Sequence, residues 1–266
     1  MADILQKIVE QTRADLAKRK QKVSYTDFSS FPQYEKERRS FSEALSLKDS
    51  VSIIAEVKKA SPSKGIIRDD FNAIKLAEAY FENGASAISV LTDQPFFKGS
   101  LKYLEEISGI SPIPLLRKDF LIDPYQVKEA RAYGADAVLL IATICEGSQL
   151  SELLAATKEF EMQALVECYH QEEVDSLNWH EIEIVGVNNR NLSTFEVDLH
   201  RGVNLLQKAP GHVVRVSESG IHKPEDMKVL YDNGVHSALI GEHFMRQPDV
   251  GRALKSFINE FENLKE

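Results

Sequence analysis

Eight short apolar runs punctuate the chain, at 52–57 (SIIAEV), 87–91 (AISVL), 113–117 (IPLLR), 137–141 (AVLLI), 163–168 (QALVEC), 183–187 (EIVGV), 212–217 (HVVRVS) and 237–241 (SALIG). They carry little polar–apolar alternation, as expected of parallel strands covered on both faces. Amphipathic stretches lie between them. Residues 72–84 set Ile74, Ala77 and Phe81 at helical spacing and end in Asn-Gly. Residues 124–134 and 224–234 begin with Pro and end with Gly, the asymmetry of helix starts and stops.

An internal echo repeats this plan. The segments 83–88 (NGASAI), 133–138 (YGADAV) and 233–238 (NGVHSA) each take a helix through a glycine straight into a strand. Gly84, Gly134 and Gly234 are 50 and 100 residues apart, and strand starts recur about every 25 residues. The offsets therefore equal two and four β-α units. Eight such units predict a (β/α)8 TIM barrel. An open doubly wound sheet is the alternative, but the first strand is followed by KKASPSKG, not by a GxGxxG turn. Residues 1–50 precede the barrel. They read as a long helix over about 3–22 and a second one announced by the capping-box pattern Ser40-Phe-Ser-Glu43. Neither could enclose a core alone, so 1–266 reads as one barrel domain with an N-terminal helical extension packed on it.

Composition narrows the function. The 266 residues carry a net charge of -9, which argues against a general nucleic-acid binder. The N-terminus is charged throughout, unlike a signal peptide, and no apolar run approaches a membrane span. Cys145 and Cys168 lack metal-ligand or CxxC spacing and read as free thiols of a reducing cytosol. The expectation is a cytoplasmic protein with no nucleic-acid or membrane partner. The sequence leaves its oligomeric state open, with a monomer as the working expectation.

In a barrel of this kind the active site lies at the C-terminal ends of the strands. Glu56 and Lys58 end the first strand and, two apart, share a face. The third strand runs into Arg117-Lys118-Asp119-Phe120, the fifth ends at Glu167, and the sixth runs into Asn188-Asn189-Arg190. The seventh ends Ser217-Glu218-Ser219-Gly220 and the eighth Gly241-Glu242; Thr92-Asp93 and Thr143 follow the second and fourth. Two lysines, Lys58 and Lys118, with two carboxylates, Glu56 and Glu167, supply both a proton donor and an acceptor. No metal constellation or Ser-His-Asp arrangement is evident, and among the histidines only His243 falls near a strand end. Ser219, Gly220, Gly241 and the amide of Glu242 match the phosphate subsite recurrent after strands seven and eight of barrels. The Glu242 carboxylate should then point away, and an Asp placed at Gly241 should repel the phosphate and raise KM. Ser61 and Lys64, in the SPSKG loop, are placed to close on a ligand. Phe97 and Phe120, with Leu139 and Ile141 on one face of the fourth strand, would wall an aromatic group.

IIAEVKKASPSKG, LLRKDFLIDPYQVKEARAYGADAVLLI, LVEC, GVNNRNL, VSESGI and ALIGEHFM together resemble the indole-3-glycerol phosphate synthase family over nearly the whole chain. The resemblance implies a barrel with an N-terminal helical extension and a phosphorylated small-molecule substrate, 1-(o-carboxyphenylamino)-1-deoxyribulose 5-phosphate. That substrate is closed to indole-3-glycerol phosphate with loss of CO2 and water, in tryptophan biosynthesis, without metal or organic cofactor. It implies Lys118 as general acid at the ribulose carbonyl, and Glu167 and Lys58 in the later dehydration, either one being donor or acceptor. Glu56 would hold the lysines, Asn188 and Ser219 would hydrogen-bond the substrate, and Arg190 would meet its carboxylate. Phe97, Leu139, Ile141 and Leu192 would embrace the ring. Three other readings compete. A Schiff-base sugar-phosphate lyase would use Lys58 or Lys118. A phosphoribosylanthranilate isomerase-like barrel would need a Cys at the end of strand one, where none stands. A phosphate-ligand sensor would leave the charged cluster idle.

Overall fold

The computed structural model describes residues 3–191, 194 and 196–265. The eight apolar runs form eight parallel strands: β1 (Ser52–Val57), β2 (Ala87–Leu91), β3 (Leu115–Lys118), β4 (Ala137–Ile141), β5 (Gln163–Cys168), β6 (Ile184–Asn188), β7 (Val214–Glu218) and β8 (Ser237–Ile240). Each pairs with the next, and β8 closes on β1 with Ile54 opposite Leu239. The (β/α)8 TIM barrel is thus complete. Two strands start two residues later than their apolar runs. Pro114 has no N–H for the ladder and contributes only its carbonyl, which accepts from Ile88 N–H at 3.0 Å. Val213 N–H is spent on a turn to Pro210 O at 3.0 Å.

The weak alternation of the sequence has a simple cause: both faces of each strand are apolar, but they serve different cores. Ile54, Leu116, Leu139, Leu165, Ile184, Val216 and Leu239 meet in one cluster inside the barrel. Their neighbours Ile53, Leu115, Val138, Val166 and Val185 join the larger cluster under the helices. The same parity decides which end residues face the lumen, because side chains alternate strictly along a strand. The echoed glycines sit where helices stop. Gly84, Gly134 and Gly234 have φ of 101°, 87° and 63°, a left-handed conformation that L side chains resist.

The N-terminal extension touches both ends of the barrel. Its second helix (Phe41–Leu45) is capped by Ser40 Oγ, which accepts from Glu43 N–H at 3.3 Å. The helix closes the N-terminal end: the N–H groups of Phe41 and Ser42 donate to Gln163 Oε1 at 2.6 and 2.9 Å. Beside it, the buried Asp136 accepts from Arg39 N–H at 2.9 Å, Arg39 Nη2 at 2.7 Å and Leu115 N–H at 2.8 Å. The first helix, α1 (Asp3–Lys22), reaches the opposite end, where Ile4, Leu5 and Ile8 line the mouth. Among the described residues, no helix is long and apolar enough to cross a membrane.

Candidate active site

A cavity of about 180 Å³ opens at the C-terminal mouth of the barrel. Glu56, Lys58, Ser61, Phe97, Lys118, Phe120, Leu139, Ile141, Glu167, Asn188, Arg190, Ser219, Gly220, Gly241 and Glu242 all line it. Leu192 lies outside the described residues. Ser63 stands at the cavity wall and Lys64 does not.

Lys118 is at the centre of the charge. Its ammonium donates to Glu218 Oε2 at 2.9 Å and to Glu167 Oε2 at 3.2 Å. Burial opposes the charge of Lys118, but Glu218, Glu167 and Glu56 together outweigh it and raise its pKa. For Glu218, burial is the largest influence and raises the pKa; Lys118 opposes it and Glu167 reinforces it. The Glu167 carboxylate also accepts from Asn188 Nδ2 at 3.4 Å. Glu56 is ion-paired with Lys58. It does not bond both lysines, because Lys118 is taken by the two carboxylates from β5 and β7.

The space for this cluster is set by glycines. A Cβ on Gly186 in β6 would overlap Glu218 Oε1, and one on Gly241 would overlap Glu56 Oε1. An Asp at Gly241 would therefore displace Glu56 before any phosphate could be repelled. The sequence-based test at that position does not isolate the phosphate site.

Ser219 and Gly220 have φ of 68° and 75°. This pair turns the chain sharply where it leaves β7 at the cavity wall. Glu242 accepts from Arg246 Nε at 3.0 Å and lies 3.8 Å from Arg190. His243 lines the rim beside His222, their ring centroids 6.4 Å apart. Part of the wall is apolar. The Phe97 and Phe120 rings lie 6.0 Å apart at 35°, and Leu139, Ile141, Ile4, Leu5 and Ile8 line the same cavity. Neither cysteine lines the cavity, and burial pushes the Cys145 thiol up to about 12. Among the described residues, no cluster of three or more His, Cys, Asp or Glu could hold a metal ion.

The mouth therefore combines a tight backbone turn after β7, an apolar slot and a lysine between carboxylates. Comparison with known proteins accounts for the combination. The profile of the Indole-3-glycerol phosphate synthase family matches residues 5–257. The chain belongs to that family. The indole-3-glycerol phosphate synthase of Salinibacter ruber is 48% identical over 253 residues, covering 94% of this chain and 93% of the relative. That of Nautilia profundicola is 46% identical, covering 94% and 96%. Among solved structures, the tryptophan synthase a2b2 complex of Pyrococcus furiosus gives a TM-score of 0.60 at 15% identity, over 82% of this chain and 99% of that one. Orotidine 5'-phosphate decarboxylase of Pyrococcus horikoshii gives 0.60 at 13%, over 79% and 99%. These two likenesses concern the fold alone.

Within this synthase-family barrel, two features go beyond what the residue motifs announce. Glu218 sits inside SESG, whose serines and glycine point to a turn rather than to a buried carboxylate. Strand parity held the signal: Val214 and Val216 face the lumen, so Glu218, two further on, must follow. The contribution of α1 to the mouth is the second. Ile4, Leu5 and Ile8 form an apolar stripe, which announces burial without naming the surface it covers.

Proposed function

We propose that this chain is an indole-3-glycerol phosphate synthase, acting on 1-(o-carboxyphenylamino)-1-deoxyribulose 5-phosphate. The placement of Lys118 between Glu167 and Glu218 at the mouth of a barrel of this family carries the reading. The extended substrate must fold so that its aryl carbon reaches the ribulose carbonyl carbon. Anchoring the phosphate at Ser219–Gly220 and the aryl carboxylate near Arg190, with the ring between Phe97, Phe120, Leu139 and Ile141, supplies that orientation. The aryl carbon bearing the carboxylate attacks the carbonyl carbon, and Lys118 delivers a proton to the oxygen. A lysine whose pKa is raised is still acidic enough to protonate a developing alkoxide, and its charge stabilises that oxygen beforehand. CO2 then departs and its bonding pair restores the aromatic ring. In the dehydration, the new hydroxyl leaves as water with one added proton, and the adjacent carbon loses a proton to form the indole double bond. Lys58, paired with Glu56, fits the donor's part. Glu167, which accepts from both Lys118 and Asn188, fits the acceptor's part.

In this reading 1–266 is one domain. It works as a monomer in the cytoplasm, with no nucleic-acid partner and no metal or organic cofactor. Fluorescence detection of indole-3-glycerol phosphate from the purified chain is the test. Formation of the product, with no lysine adduct trapped by borohydride, is expected. A chain that makes no indole product, or one that borohydride labels at Lys58 or Lys118, overturns the assignment.

A further inference from the structure

The apolar slot depends on a turn that packing alone does not hold. Phe97 is only half-buried, and Phe120 is its one aromatic neighbour among the described residues. Its place is therefore set by its backbone, and that backbone closes around a single carboxylate. Asp93 Oδ1 accepts from Phe96 N–H at 2.8 Å and from Phe97 N–H at 3.0 Å. The Asp93 carbonyl accepts from Gly99 N–H at 2.7 Å, and Leu91 O accepts from Ser100 N–H at 3.2 Å. Lys98 is left-handed, with φ of 56°. A Cβ on Gly99 would run into the Leu91 carbonyl, so the turn is stacked tightly on the end of β2.

We propose that Asp93 is the positioning residue that sets Phe97 against Phe120, and so sets affinity for the aromatic end of the ligand. This rests on the proposed function only in taking Phe97 as the wall of an aromatic subsite. Asp93 also lines a polar cleft beside α1. Facing it there are Asp15, Lys18, Arg19 and Lys22 from α1 and Asp119 from the end of β3. Asp119 is engaged by Arg117 Nη2 at 3.0 Å and Thr92 Oγ1 at 2.6 Å, and Arg19 by Glu129 at 2.7 Å. Burial, then Asp119, push the Asp93 pKa up to about 6, against the two N–H donors.

The sign separates positioning from simple support of the fold. A carboxylate accepts more strongly than a carboxylic acid, so both N–H bonds weaken as pH falls through about 6. Because the folded pKa is raised, the contribution of this group to stability is greatest at acid pH and is lost as pH rises through the folded value. Acid therefore loosens Phe97 without weakening the fold at this residue.

The experiment compares wild type, Asp93→Asn and Asp93→Ala. The readouts are kcat and KM for ring closure and the Kd for anthranilate, the aromatic part of the proposed substrate. Asp93→Ala should raise KM about tenfold with kcat within about twofold, and Asp93→Asn, which keeps an acceptor oxygen, should hold the rise to about threefold. The ratio of the Asp93→Asn Kd to the wild-type Kd should fall from about 3 at pH ~7.5 to about 1 at pH ~5, as the wild-type carboxylate loses its advantage. The ratio cancels titration of anthranilate itself, and it still decides the matter should the Ala variant fail to fold. An unchanged KM in Asp93→Ala, a loss carried by kcat, a ratio that ignores pH, or no anthranilate binding by the wild type overturns the proposal. A wild-type chain that binds anthranilate but closes no ring overturns the functional assignment and leaves Asp93 to be judged by the ratio.

Discussion

Arg117 and Lys118 are consecutive on β3, Arg117 buried and Lys118 half-buried, and both have carboxylate partners, yet their surroundings differ. Arg117 points to the helix layer, where every neighbour answers it. Its Nε donates to Thr92 Oγ1 at 3.1 Å, Nη1 to Gln126 O at 2.8 Å, and Nη2 to Asp119 Oδ2 at 3.0 Å and Glu129 Oε2 at 2.9 Å. Arg19 from α1 then bonds the same Glu129 oxygen at 2.7 Å. Lys118 points into the lumen, and its cluster is not closed. Glu218 Oε1 is buried with no hydrogen-bond partner among the described residues. Satisfied buried charge rigidifies a fold, whereas an unanswered acceptor beside a cavity keeps capacity for a ligand or a proton. One strand thus sends one cation to the helix layer and the next to the lumen by the alternation of its side chains alone.

Exchanging each cation for an apolar isostere should separate the two roles. Lys118→Met is expected to lower turnover by about 10³-fold or more, because both the proton and the charge at the reacting oxygen are lost. Substrate binding should change little. Glu218, whose pKa burial already raises, can take up a proton in place of the lost cation, so stability should fall less than when Arg117 is replaced. Near-normal product formation in the fluorescence assay would remove Lys118 from the mechanism. Arg117→Met should do the reverse. It leaves Asp119 and Glu129 buried with a cation lost, which costs about 3–5 kcal/mol in denaturant unfolding, while kcat per folded molecule falls far less. A variant of ordinary stability but dead in turnover would show that the outward cluster is not merely support.

How much of this could be read from the chain follows the same division. The strands were legible because apolar runs and glycine stops are local. Asn72 Oδ1 caps its helix on Lys75 N–H at 3.0 Å and Asp123 Oδ1 caps the helix Pro124–Ala132 on Tyr125 N–H at 2.9 Å, and both signals sit in the sequence as written. The lumen residues Glu56, Lys58, Lys118 and Glu167 were legible because each ends a strand. Their pairing was not. Nothing local tells that Lys118 selects Glu218, 100 positions away, over Glu56, because barrel closure decides that choice. Nor does any pattern show that Gly186 clears room for Glu218; the partner is on another strand and the collision exists only in three dimensions.

Glu218→Gln sharpens the comparison on its open side. The folded protein binds a proton at Glu218 more readily than the unfolded chain does, because burial raises the pKa. The contribution of this group to stability is thus present below the unfolded carboxylate value, about 4.3, and is lost as pH rises through the raised folded one. Gln keeps the shape and never ionises. The stability of Glu218→Gln relative to wild type should therefore grow as pH rises, while turnover falls by about 10²-fold. Denaturant titrations at mildly acidic and mildly alkaline pH read the first effect. A difference that shrinks with rising pH would mean that Lys118, not burial, governs Glu218.

The mildest change tests whether the open cluster depends on empty space as well as charge. Gly241 follows β8 with φ of -120°, so its backbone alone does not demand glycine. The demand is steric, since a Cβ there would overlap the Glu56 carboxylate. Gly241→Ala should push Glu56 off Lys58 without adding or removing a charge. Misplacing one ion pair of the cluster should cost about tenfold in kcat, with the phosphate end, and hence KM for the phosphorylated substrate, altered less. If the loss falls on KM alone, Gly241 serves the proposed phosphate subsite and the Glu56–Lys58 pair tolerates displacement. If kcat falls while a crystal structure of the variant shows Glu56 rotated from Lys58, the pair must be held in register for turnover.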